Sequence, residues 1–225
     1  MMRLAEGVDA RFAQWLREGL LPEVKPGVQE RSVRTAQALV DAGLRLLEHR
    51  VFEALSLEDL CEEAGVTIGA FYGRFEDNKS YFRVLQRVTS LRSQVAFNEF
   101  SARILAAKEP GLQTVCEELT LWIVGRYQTN AGIYRSALRQ AADGSWEPFR
   151  QLGDMYRKEL VALLVPLIAH VDASQRVLRV QAAYQMLVGT LVHATLNDPG
   201  PLRFQDQAMT RELTRMVLAY LQAES

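Results

Sequence analysis

Nearly every stretch of this 225-residue chain repeats its apolar residues at spacings of three and four, and no run alternates apolar and polar positions. Strand side chains point to opposite faces with a period of two, so such a pattern cannot lie on one side of a sheet. A helix gathers positions i, i+3, i+4 and i+7 into one stripe. The chain is therefore expected to be all-α. An apolar content of 48% at this length is enough for a proper core.

Turn residues divide the periodic stretches. Asp9 is placed to cap a short helix in which Phe12, Trp15, Leu16 and Leu20 share one face, ended by "LPEVKPG" with Pro22, Pro26 and Gly27. Helices are predicted over 33–49, 57–64 and 68–75, with a longer one opening near Lys79. After "KEPG" at 108–111 they lengthen, to 112–128, 131–142, 147–170, 174–197 and 206–222, with Pro166 expected to kink or break the fourth of these. The reading is an arm at 1–30, a compact helix-turn-helix domain of three helices at 31–88, and a helical bundle at 89–225 for ligand binding and dimerisation.

Composition excludes several classes. Lys plus Arg number 26 against 27 for Asp plus Glu, so net charge points to neither nucleic acid nor membrane. The distribution says more: Glu53 to Glu63 is acidic without a base, whereas Arg74, Lys79, Arg83 and Arg87 form a local basic edge. Cys61 and Cys116 lie far apart on apolar helical faces, which fits a reducing cytoplasm without structural zinc; Cys116 reads as a buried inert thiol, with oxidation sensing as the alternative. The opening "MMRLAEGVDARF" lacks the apolar run of a secretory signal, and no stretch is apolar over a bilayer's width, so a cytoplasmic location is expected. With His49, His170 and His193 scattered, and no nucleophile motif, H-E-x-x-H or phosphate-binding glycine loop, no enzyme activity, metal or cofactor is expected.

The stretch from Ser56 to Phe75 carries the chemistry. Ser56 and Asp59 make a cap at the head of a helix whose Leu57, Leu60, Cys61 and Ala64 share one face. Gly65 can adopt the left-handed backbone that stops this helix, Val66 plugs the corner, and Thr67 caps the next helix. Phe71 and Phe75 form that helix's buried side, leaving Ile68, Gly69, Tyr72 and Gly73 outside. Each interior glycine costs a helix about 1 kcal/mol, so something must recommend two of them. Close approach of a bare helix backbone to a DNA major groove does so: Ile68 can touch a thymine methyl, and Tyr72, Arg74 and Lys79 can hold the phosphates. Thr35, Ser56 and Thr67 complete the expected DNA-facing set.

The run "DAGLRLLEHRVFEALSLEDLCEEAGVTIGAFYGRFEDNKSYF" resembles the DNA-binding domain of TetR-type (tetracycline-repressor family) transcriptional regulators over roughly residues 33–88. The resemblance implies a homodimer on palindromic double-stranded DNA and repression relieved by a small ligand. It places Thr67, Tyr72 and Arg74 at backbone contacts and Ile68 and Gly69 at base-facing sites. Two positions depart from the family pattern. The lysine after the recognition helix falls on Asn78, with Lys79 one place later, and the glycine after the first helix is Arg50.

In the second region, Val177, Val180, Tyr184, Leu187 and Leu191, and Leu213, Met216, Val217, Tyr220 and Leu221, form stripes that can meet a symmetry mate or serve the chain's own core. Trp122, Tyr127, Tyr134, Met155, Tyr184 and His193, with Trp146, Tyr156 and Met186, are candidates for an effector cavity, whose composition favours an apolar or aromatic molecule. The alternative function is a helical protein-interaction regulator without a small-molecule effector.

Overall fold

The computed structural model describes residues 9–25, 27, 30–107, 110–198 and 200–223, and among them there is no strand. The opening eight residues, Pro26, and Lys108 and Glu109 of the expected break at 108–111 lie outside the described residues. Helix α1 spans Ala10–Arg17, capped by Asp9, whose carboxylate accepts from the Arg11 N–H. Phe12 and Trp15 are buried, as their spacing implies. Leu20 is not on this helix: Gly19 takes a φ of 70° and ends it, and Leu20 stands 39% exposed beyond the turn.

Helix α2 (Glu30–Leu46), α3 (Leu57–Ala64), α4 (Ile68–Tyr72) and the long α5 (Asn78–Ala106) follow. Leu39, Leu60, Phe71, Phe75 and Tyr81 meet in one apolar cluster, which also takes in Phe12 and Trp15 of α1. Tyr81 is its centre. Its ring lies 5.3 Å from Phe71 and 4.9 Å from Phe75, and its hydroxyl donates to Leu39 O at 2.7 Å. That hydroxyl sits where a side chain on Gly43 would be: a Cβ there would fall 2.0 Å from Tyr81 Oη. The Arg50 departure costs the fold no strain. Asp198 is the one non-glycine of positive φ among the described residues, so Arg50 has ordinary backbone; its guanidinium pairs with Asp59 at 3.0 Å, and a short 3-10 turn, Phe52–Ala54, carries the chain into α3.

The second region comprises α6 (Leu112–Thr129), α7 (Ala131–Arg139), α8 (Glu147–Leu164), α9 (Arg176–Asn197) and α10 (Gln207–Gln222) around a separate apolar cluster. Helix α8 stops short of its expected end at 170. Pro166 cannot donate a backbone hydrogen bond, and the chain continues as a 3-10 turn over Val165–Ile168. Helix α5 serves both clusters, with Val84, Leu85 and Val88 in the first and Phe97, Phe100 and Ile104 in the second. No helix of the described residues is long and apolar enough to cross a membrane.

Helix α7 ties the two parts together. Its Ile133 and Ala137 are buried in the first cluster. A Cβ on Gly132 would fall 2.0 Å from Arg50 O and 2.2 Å from Leu47 O, so its backbone lies directly on the end of α2. Phe52 N–H donates to Ser136 Oγ at 2.9 Å, and Gln140 donates to the Glu53 carboxylate at 2.8 Å.

Candidate nucleic-acid interface and effector cavity

The α3–α4 corner is built by local chemistry. Ser56 Oγ accepts from the Asp59 N–H at 2.9 Å, Gly65 closes α3 with a φ of 64°, and Thr67 Oγ1 accepts from the Ala70 N–H at 3.2 Å. A Cβ on Gly65 would meet nothing, so backbone conformation alone calls for glycine there. Regular α4 ends at Tyr72 rather than Phe75. The Arg74 N–H bonds to Phe71 O, three residues back, tightening the last turn, yet Phe75 still reaches the core.

Ile68 and Tyr72 stand 40% and 50% exposed on the outer side of α4. Between them Gly69 has open space: the nearest atom to an added Cβ would be Thr67 Oγ1 at 3.8 Å. Packing within the chain therefore gives no reason for a glycine at that position. Gly73 is exposed as well, although a Cβ there would press to 3.3 Å on Ala70 O. Arg74, half-buried, shares a cleft of about 170 Å³ with Thr35 and Gly73. Lys79 is exposed on the first turn of α5, after the Asp77 cap that accepts from the Ser80 N–H. The Thr35 hydroxyl donates to Arg31 O at 2.9 Å, which commits its one proton and leaves it no donor for a phosphate in this conformation. Ser56 and Thr67 keep theirs.

One contributor was not expected. Lys25, in the turn-rich stretch after α1, donates its backbone N–H to Arg74 O at 2.7 Å and its ammonium to Tyr72 O at 2.9 Å. It thus satisfies the free carbonyls at the end of α4 and places a cation against that end of the helix. Gly27 lies beside it under the Arg74 guanidinium. "LPEVKPG" carries no signal for this, since the partners are 47 residues apart.

The helix-turn-helix has its counterpart among known families: residues 39–80 match the model of the bacterial regulatory proteins, tetR family. That segment is similar to the tetR-family DNA-binding domain. DNA-binding regulation of transcription is the function class of the family whose model this segment matches. Solved tetR-family structures are similar in fold to this chain. One is a protein of Mesorhizobium loti assigned to the family's transcriptional regulators, at 16% identity, covering 86% of this chain and 96% of that one, with a TM-score of 0.65. Another is a tetR-family regulator of Streptomyces coelicolor, at 14% identity, with coverages of 87% and 82% and a TM-score of 0.60. The fatty acid degradation regulator FadR of Bacillus halodurans gives 16% identity, coverages of 86% and 96% and a TM-score of 0.59. Among curated proteins no sequence matches.

In the second region a cavity of about 150 Å³ opens between α6, α7, α8 and α9. Trp122, Tyr127, Tyr134 and Tyr184 line it, as do Trp146 and Tyr156, so six of the aromatic candidates come together. Burial pushes the hydroxyls of Tyr127, Tyr134, Tyr156 and Tyr184 upward, which keeps them neutral donors. Three candidates lie elsewhere. Met155 lines a different groove, of about 260 Å³, with Leu20 and Arg87. His193 is exposed, nine residues from Tyr184, and nine steps of about 100° put it on the opposite face of α9. Met186 is exposed as well. Cys116 is buried, and burial, with Glu117 nearby, pushes its thiol up to about 12, leaving no thiolate for oxidation chemistry.

Of the two readings of the terminal stripes, the chain's own core takes most of both. Val180, Tyr184, Leu187 and Leu191, with Leu213, Val217 and Leu221, are buried in the chain's own core. The outward face of α9 carries Leu178, Met186, Gly189, His193 and Leu196 instead, with Leu178 62% and Leu196 43% exposed.

Proposed function

We propose that the protein is a cytoplasmic, homodimeric repressor that binds a palindromic duplex sequence-specifically and is released by a small effector. In this reading residues 31–88 contact DNA, residues 89–225 bind the effector and the second subunit, and Lys25 of the arm braces the recognition helix. The observation that carries it is the outer face of α4: Ile68 and Tyr72 project to solvent beside a Gly69 that nothing among the described residues requires to be glycine. A major groove accepts such a helix, with Ile68 on bases, Tyr72, Arg74 and Lys79 on phosphates, and the Thr67 hydroxyl at the helix start. Two copies are needed to reach half-sites about 34–36 Å apart, and the outward apolar residues of α9 are the surface that pairs them.

Release runs through α7. Tyr134 lines the cavity, while Gly132 and Ser136 of the same helix rest on the end of α2 and the following turn. An effector that displaces Tyr134 tilts α7 and with it the helix-turn-helix, so that the paired recognition helices lose their half-site spacing. Selecting bound duplexes from a random pool tests the reading. A palindrome with half-sites one helical turn apart is expected; recovery of no enriched sequence, or of a lone half-site, contradicts it.

Lys25 gives a second test. Lys25→Met removes the ammonium from the end of α4 and is expected to weaken binding of the selected duplex by about 1 kcal/mol, roughly fivefold, equally across sequence variants. Lys25→Arg should recover most of it. Fluorescence anisotropy titrations that give the same affinity for Lys25→Met and the parent would remove the arm from the interface.

A further inference from the structure

The aromatic cavity holds a charge without a partner. Arg126, on α6, lines it, and its Nη2 donates to Ser93 Oγ at 2.7 Å. Its Nε is buried and has no acceptor. Among the described residues no carboxylate lies within ion-pairing distance of it, whereas the other arginines of the cavity are both matched, Arg150 by Glu147 and Arg157 by Asp154. The groups facing Arg126 supply no compensation, because Tyr134 and Tyr156 remain protonated under burial and the Tyr156 hydroxyl already donates to Ser93 O at 3.3 Å. A buried guanidinium donor without an anion is costly, and a site of this kind is completed by a ligand that brings one.

The rest of the cavity limits what that ligand can be. Trp122, Tyr127 and Tyr134 offer flat apolar faces. The volume, about 150 Å³, is that of an engineered apolar cavity known to take up benzene, so there is room for one ring. We propose that the cavity binds a monocyclic aromatic carboxylate, its carboxylate pairing with the Arg126 guanidinium and its ring lying among Trp122, Tyr127 and Tyr134. This rests on, and narrows, the reading of the cavity as the effector site. A neutral aromatic of the same size would leave the Arg126 guanidinium without a counter-ion, and an aromatic amine would bring a second positive charge.

Benzoate and its uncharged counterpart benzamide separate these cases. Trp122 and Trp146 line the cavity, so quenching of tryptophan emission in the full chain reports occupancy, with Trp15 of α1 as a constant background. Benzoate is expected to quench saturably and to bind at least about 10-fold more tightly than benzamide. Arg126→Gln should weaken benzoate by about 10- to 100-fold and leave benzamide nearly unchanged. Gly153 also lines the cavity, and a Cβ there would make only ordinary contact, 3.6 Å from Tyr184 Oη. Gly153→Val therefore narrows the cavity while keeping the arginine at 126 and should lower benzoate affinity at least about 10-fold, which decides the matter even where Arg126→Gln fails to fold. Equal affinities for the two probes, no saturable benzoate quenching, or unaltered benzoate binding by Gly153→Val overturns the proposal. Retention of the selected duplex, measured on the same samples without either probe, reports on the DNA-binding reading by itself, so the two fail separately.

Discussion

Replacing Tyr72 and Arg74 together by alanine is expected to weaken binding of the selected duplex by about 2–4 kcal/mol, roughly 30- to 1000-fold, with the fold intact. Tyr72 leaves the helix-turn-helix on its outer side, and Arg74 lies in the cleft beside it. Tyr72 is half exposed, and its edge-on contact with Phe71, at 5.4 Å, is dispensable to a core that Phe71, Phe75 and Tyr81 already fill. The two singles should differ in kind. Arg74→Ala removes a cation from the phosphates and should flatten the dependence of log affinity on log salt by about one unit. Tyr72→Phe tests the hydroxyl alone and should leave that slope unchanged. Anisotropy titrations over a range of salt read both quantities, and a double variant that binds as tightly as the parent would remove α4 from the interface.

The second large effect lies far from DNA. Gly132→Ala is expected to destabilise the protein by about 3 kcal/mol, a fall in Tm of roughly 6–12 °C for a chain of this size. The added methyl would meet backbone oxygens of Leu47 and Arg50 at 2.2 and 2.0 Å, and neither can rotate away as a side-chain tip could. Helix α7 must then lift off α2, which breaks the Phe52 N–H to Ser136 bond and the Gln140 to Glu53 bond. Gly125 on α6 is the control, since a Cβ there would meet nothing; Gly125→Ala should stabilise by about 0.5–1 kcal/mol through helix propensity alone. Thermal unfolding followed by circular dichroism compares them, and a loss under about 1 kcal/mol for Gly132→Ala would mean that the contact yields easily.

The readings that match the structure depend on short stretches of chain. The caps at Asp9, Ser56 and Thr67, the left-handed Gly65 and the stop at Pro166 each act within a few residues. The departures have local causes too, once geometry is known: Gly19 ends α1 before Leu20, and tightening of the turn ends α4 before Phe75. Stripe reading left two placements open on α9 for another reason. That helix is apolar on two sides, and periodicity does not say which side meets its own chain. Val180 and Leu187 turned inward, whereas Leu178 and Leu196 turned out.

Sequence by itself determined the all-helical class, the helix-turn-helix and the sparsely decorated face of α4, because caps, turns and helical stripes are written in residues three or four apart. Tertiary structure alone decided that Lys25 would close the end of α4, that Gly132 would seat α7 on α2, and that Arg126 would face aromatic walls without a counter-ion. Those partners are brought together by the packing of whole helices, and a contact across such distances leaves no pattern in either of the segments that make it.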